Sequence, residues 1–236
     1  MIPDRPSPPS HTPDVTVAPA RREALPRPYP TRMGQGFLSS ARHACRGLVH
    51  TVVHQPNMRI HVTAALFVGL VGSGIPLGLA EKVTLIFCVL LVFFAEILNS
   101  ALEALVDLAT RHFDEKARIT KDAAAAGVLV LGIGTSVIFA ALVVHNWGTV
   151  TTHLEAVHRQ VVFGLPLTMC AWVMMRSGHG ARALDLLAFG VSLVLWAKLL
   201  MSSESYVFSA MTLGLLGLTF AAALARGNVE RSSSGR

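Results

Sequence analysis

Glu96, Asn99, Glu103 and Asp107 follow an apolar run, residues 83–95, that carries no charge. On a helix each residue turns about 100°, so these four fall on one stripe about 80° wide. An acid at the centre of a membrane helix costs about 2.5–3.5 kcal/mol, less near the interface. Three acids in line also repel one another, so a metal ion, a cationic partner or protonation must compensate. Lys121 and Asp122 follow after thirteen residues and open the next apolar stretch. A hairpin of the two stretches brings this pair to the stripe. Carboxylates among oxygen-rich neighbours suit Mg²⁺. Mg²⁺ beside a lysine suits nucleotide phosphates, and a spare carboxylate suits a general base. Two other readings stay open: a polar seam gluing helices together, for which Asn99 and Ser100 alone suffice, and a proton or cation path.

The elements that position these residues are membrane helices. The chain has 236 residues, 52% hydrophobic and 14% charged, with mean hydropathy +0.53. A soluble domain needs more polar surface than this. The expected fold is an all-α integral membrane protein: an amphipathic interfacial helix, a three-span core and three further transmembrane helices. Residues 1–35 hold nine of the twelve prolines and no apolar run, so a disordered tail is expected there, with neither core nor secretory signal. In Phe37–His54 the apolar residues share one helical face, while Arg42, His43, Arg46, His50 and His54 share another, the pattern of a helix lying in the membrane interface. Six spans are expected near 60–79, 83–109, 122–144, 161–175, 183–200 and 206–225. Residues 110–120 then form a loop, and 227–236 a second disordered tail. Lysine and arginine crowd before the first span, between the second and third, between the fourth and fifth, and at the chain's end. The positive-inside rule therefore places both termini in the cytoplasm, with the acidic stripe at the cytoplasmic end of the second span. The net charge of +6 serves orientation and anionic headgroups rather than nucleic acid, because no compact basic domain exists. Cys45, Cys88 and Cys170 are too scattered for a disulfide framework or a zinc site.

The pattern Glu96-x-x-Asn99-x-x-x-Glu103-x-x-x-Asp107, then Lys121-Asp122-x-Ala124-Ala125, resembles the bacterial diacylglycerol kinase and undecaprenol kinase family. Asn57-Met58-Arg59-Ile60-His61 resembles it too, and the likeness spans about residues 36–145. The resemblance implies a homotrimer in the bacterial cytoplasmic membrane, with sites built between subunits. It implies ATP as co-substrate with Mg²⁺, and a lipid alcohol, diacylglycerol or undecaprenol, as acceptor. By the same resemblance Glu96 is the base, Glu103 the metal ligand, and Asn99 and Asp107 support the site. Lys121, Asp122, Asp114 and Glu103 contact the nucleotide, and Asn57, Arg59 and His61 lie with Glu96 at the lipid entrance. One departure stands out: Gln55 occupies the place of the family's second metal-binding glutamate. No acid lies between Glu23 and Glu81 to replace it, so a softened Mg²⁺ site is expected. The alternatives are a catalytically weak assembly module and an ion-coupled transporter.

Residues 146–226 fall outside the pattern and form an extension of open role. Ser177-Gly178-His179 resembles a lipid-phosphatase tripeptide but lacks that family's companion motifs, so it reads as a loop coincidence. His145, His153 and His158 are too irregularly spaced for a metal site and read as solvated loop residues.

Overall fold

A computed structural model describes residues 36–176 and 182–234, with side chains as far as Arg226. Eight helices account for nearly all the described residues: α1 Phe37–His54, α2 Pro56–Ser73, α3 Leu79–Ala109, α4 Glu115–His145, α5 Trp147–Thr152, α6 Leu154–Arg176, α7 Arg182–Leu200 and α8 Tyr206–Ser234. The Ser177–His179 tripeptide lies outside the described residues.

Local chemistry sets the boundaries. Pro56 begins α2 at a position that needs no amide donor, and Gly74 ends the helix. The α3 end is tied when the Gly78 amide donates to Glu81 at 2.6 Å. Asp114 caps α4 by accepting from the Ala117 amide at 3.0 Å. Consequently α4 starts at Glu115, and only 110–114 remains as a loop where 110–120 was expected. Charged residues on the first turns of α4 look like loop sequence, yet the Glu115–Arg118–Asp122 ion pairs support a helix. The backbone of α8 likewise stays helical to Ser234, past the tail expected from 227, since no proline interrupts it.

α3, α4, α7 and the Tyr206–Arg226 part of α8 are each long and apolar enough to cross a membrane. Six spans were expected; α2 and α6 fall outside this set. α2 carries Asn57, Arg59 and His61, and α6 carries Glu155, Arg159 and Gln160. Both helices pack among several others, so much of their surface meets protein rather than lipid.

The core lies around α2. Ala65, Leu66 and Leu70 of α2 join Leu167, Ala171, Leu215 and Leu216 of α6 and α8 in one cluster. Residues 146–226 thus share a core with α2. Glycines allow the close approach: a Cβ on Gly72 would lie 2.7 Å from the Phe208 ring, and one on Gly164 would lie 2.7 Å from Leu70. α1 packs against α8 and α2, burying Thr51 and Val52, while His50 and His54 stack with ring centroids 4.0 Å apart.

The α3–α4 hairpin is built differently. Its register is fixed at both ends, where Lys121 meets Asp107 at 2.5 Å and the Asn146 amide donates to Glu81 at 2.6 Å. α4 buries only Val128 and presents most of its other apolar side chains outward, as a bilayer solvent allows. At about 1.5 Å per residue, each 31-residue helix overshoots a hydrocarbon layer about 30 Å thick.

Candidate active site

The stripe on α3 runs from sealed to open. Glu96 is 0% exposed and Asn99 4%, Glu103 is half-buried, and the Asp107 side chain is 68% exposed. Among the described residues, neither Glu96 carboxylate oxygen has a hydrogen-bond partner, and Asn99 Oδ1 has none either. Burying such groups unpaired is costly, so they are held there by the packing of the helices around them.

Glu103 has neighbours on both sides. Its Oε1 accepts from Asn99 Nδ2 at 3.1 Å, and its Oε2 accepts from Gln55 Nε2 at 3.3 Å. Gln55 is the residue just before α2, and its side chain makes no cap bond to that helix. The position singled out in the sequence therefore does meet Glu103, as a neutral amide. Glu103, the orphan Asn99 Oδ1 and the Gln55 amide offer oxygen donors of the kind Mg²⁺ takes, with the remainder of its shell left to phosphates and water. Among the described residues no group of three or more Asp, Glu, His or Cys side chains closes into a metal cage.

Beside the stripe, α2, α3 and α4 enclose a mostly apolar groove of about 730 Å³. Asn57, His61, Glu96 and Asn99 lie on its walls, and Val68, Val89 and Ala140 continue it away from them. Of the residues expected at a lipid entrance, Asn57 and His61 thus join Glu96. Arg59 points elsewhere: its Nε donates to the Val52 carbonyl at 3.0 Å, and Nη2 donates to Val53. It caps the last turn of α1, because α1 packs against that face of α2. Lys121 bridges to Asp107, Asp122 pairs with Arg118 at 2.8 Å, and Asp114 caps α4. The sequence reading missed the groove wall on α4, where Gly132, Ser136 and Ala140 recur every four residues. That spacing of small residues was the available signal.

The family of prokaryotic diacylglycerol kinase matches residues 42–144, from α1 to the end of α4. The undecaprenol kinase of Bacillus subtilis (strain 168) is 33% identical over 102 residues, 43% of this chain and 83% of the relative. A diacylglycerol kinase of Synechocystis sp. (strain ATCC 27184 / PCC 6803 / Kazusa) is 32% identical over 126 residues, 52% of this chain and 72% of the relative. No solved structure matches the chain significantly. The matched residues supply both the acidic stripe and every wall of the groove beside it. On sequence identity and shared coverage, the chain belongs to the prokaryotic diacylglycerol kinase family, a family of membrane lipid kinases.

Proposed function

We propose that this chain transfers the γ-phosphate of ATP to the primary hydroxyl of a membrane lipid, diacylglycerol or undecaprenol. One observation carries the reading: an apolar groove with Glu96, Asn99, Asn57 and His61 on its walls, beside the Glu103–Gln55 contact. The groove takes the apolar body, and the polar residues receive the alcohol. Asn57 and His61 orient the hydroxyl, and Glu96 accepts its proton as general base. The lipid oxygen bonds to the γ-phosphorus as the bond from that phosphorus to the β,γ-bridging oxygen breaks, and ADP leaves. Glu96 has no exposed surface, so the groove walls part at Glu96 as the alcohol arrives. Bound at Glu103 and the phosphates, Mg²⁺ supplies charge neutralisation. Asn99 and Gln55 hold the Glu103 carboxylate in place. Lys121 and Asp122 are assigned to the nucleotide, with Asp107 steering the lysine through their 2.5 Å contact. Asp114, at the start of α4, is assigned to the same side.

The reading includes a homotrimer in the bacterial cytoplasmic membrane with both termini in the cytoplasm, where ATP is available. Neighbouring copies would complete the shell that one chain leaves open. A weaker enzyme is the second reading, favoured by the neutral Gln55 facing Glu103. The test is purified protein in mixed micelles with γ-labelled ATP, Mg²⁺ and each lipid alone. Label moving into one lipid, and lost in Glu96→Gln, supports the kinase and names its substrate. ATP left untouched with both lipids overturns it.

A further inference from the structure

The two end ties of the hairpin fix which residues stand level across the groove. Glu96 lies eleven residues before Asp107, and Gly132 lies eleven residues after Lys121, the partner of Asp107. Counted from the Glu81–Asn146 tie, Glu96 is fifteen residues along and Gly132 fourteen back. Gly132 therefore stands level with Glu96, and both line the groove. A Cβ built on Gly132 meets nothing within 4 Å. The glycine is thus no close-packing device, unlike Gly72, whose Cβ would strike Phe208. It leaves room in the groove at the level of Glu96.

We propose that Gly132 is the specificity-determining residue of the groove: its missing side chain sets the girth of lipid alcohol that fits beside Glu96. This rests on the lipid-kinase reading above. A diacylglycerol branches one carbon from its reacting hydroxymethyl group, whereas a prenol is a single chain there. Side-chain bulk at 132 therefore obstructs the branched alcohol most. Because the space is open, the bulk enters the groove rather than distorting the helix.

The test compares Gly132→Leu with Gly134→Leu. Gly134 also has nothing within 4 Å of a built Cβ, but it lies off the groove, about 200° around the helix from Gly132. Retention of radiolabelled dioleoylglycerol and undecaprenol by the micelle-embedded protein is measured without nucleotide, and lipid and ATP kinetics alongside. The expected result is a rise of about twentyfold in the dissociation constant and KM for dioleoylglycerol in Gly132→Leu, with a smaller rise for undecaprenol. The ATP KM stays unchanged, and Gly134→Leu stays within about twofold of the parent. Equal effects of the two variants, or equal losses for both lipids, overturn the proposal. So does a parent that retains neither lipid. A parent that retains lipid but transfers no phosphate refutes the kinase reading instead, while the binding comparison still decides the role of Gly132.

Discussion

The α3–α4 hairpin and the α2–α6–α8 bundle treat space and polarity in opposite ways. In the bundle, three glycines are packed against: Gly69 and Gly72 meet α8, and Gly164 meets Leu70, while Gly214 and Gly217 on α8 meet nothing within 4 Å. Its buried hydroxyls mostly bond within their own helices, as Thr168 does to Leu165 O, Thr212 to Phe208 O and Thr219 to Leu216 O. Gln160 keeps one orphan oxygen but still donates toward Leu199 O at 3.4 Å. In the hairpin, Gly132 faces empty groove and the Glu96 carboxylate has no hydrogen-bond partner among the described residues. A dense, mostly satisfied region stabilises; a hollow, unsatisfied one is poised to receive something. The bundle braces α2 from behind, so that the face carrying Asn57 and His61 can line a cavity without collapsing.

That contrast can be broken most severely at Glu96. Glu96→Gln should cut lipid phosphorylation about 10³-fold, the scale of a lost general base. Thermal melting should be unchanged or raised, because an unpaired carboxyl is removed from the interior. A matched loss of folding would make Glu96 structural. In the bundle the order reverses. Gly72→Leu should destabilise by about 1–3 kcal/mol through overpacking against Phe208, read as a lower melting temperature. Turnover of the folded fraction should persist. Gln55→Glu restores a second acid facing Glu103 and should lower the Mg²⁺ needed for half-maximal activity by about tenfold. An unchanged Mg²⁺ titration would remove Gln55 from the metal's surroundings. Lys121→Met breaks an exposed ion pair, so stability should fall by less than about 1 kcal/mol while the ATP KM rises. The smallest effect concerns α1. Partial burial, and then the charge on His54, push the His50 imidazole below its ordinary range. Protonation therefore opposes the folded arrangement. The stability held by the neutral His50 imidazole is full above pH about 6.5 and is lost as pH falls below that value. Melting followed over that window should flatten slightly in His50→Gln.

Much of the candidate site was legible because polarity on an apolar helix is conspicuous. The four-residue stripe and the amphipathic α1 follow from helical period, and the expected hairpin brings Lys121 to the stripe, where it meets Asp107. Orientation was harder. Arg59 sits two residues from Asn57 and from His61, and only the docking of α1 shows that it turns away from the groove. The start of α4 was misplaced because its first turns are charged, although Asp114 was a recognisable cap. α2 was expected to be a span like the rest; it falls outside the set of four long apolar helices and packs against α1, α3, α6 and α8. The groove itself was hidden, since glycine and alanine look equally apolar whether they fill space or leave it.

The central claim is that the sealed carboxylate beside the groove marks the place where a lipid alcohol gains a phosphate. The most direct measurement follows labelled γ-phosphate in purified parent and Glu96→Gln protein, with nucleotide binding measured in the same samples. The account predicts label on the primary hydroxyl of the lipid in the parent, almost none in the variant, and equal ATP binding in both. Undiminished lipid labelling in Glu96→Gln, or label released only as inorganic phosphate by the parent, would contradict it.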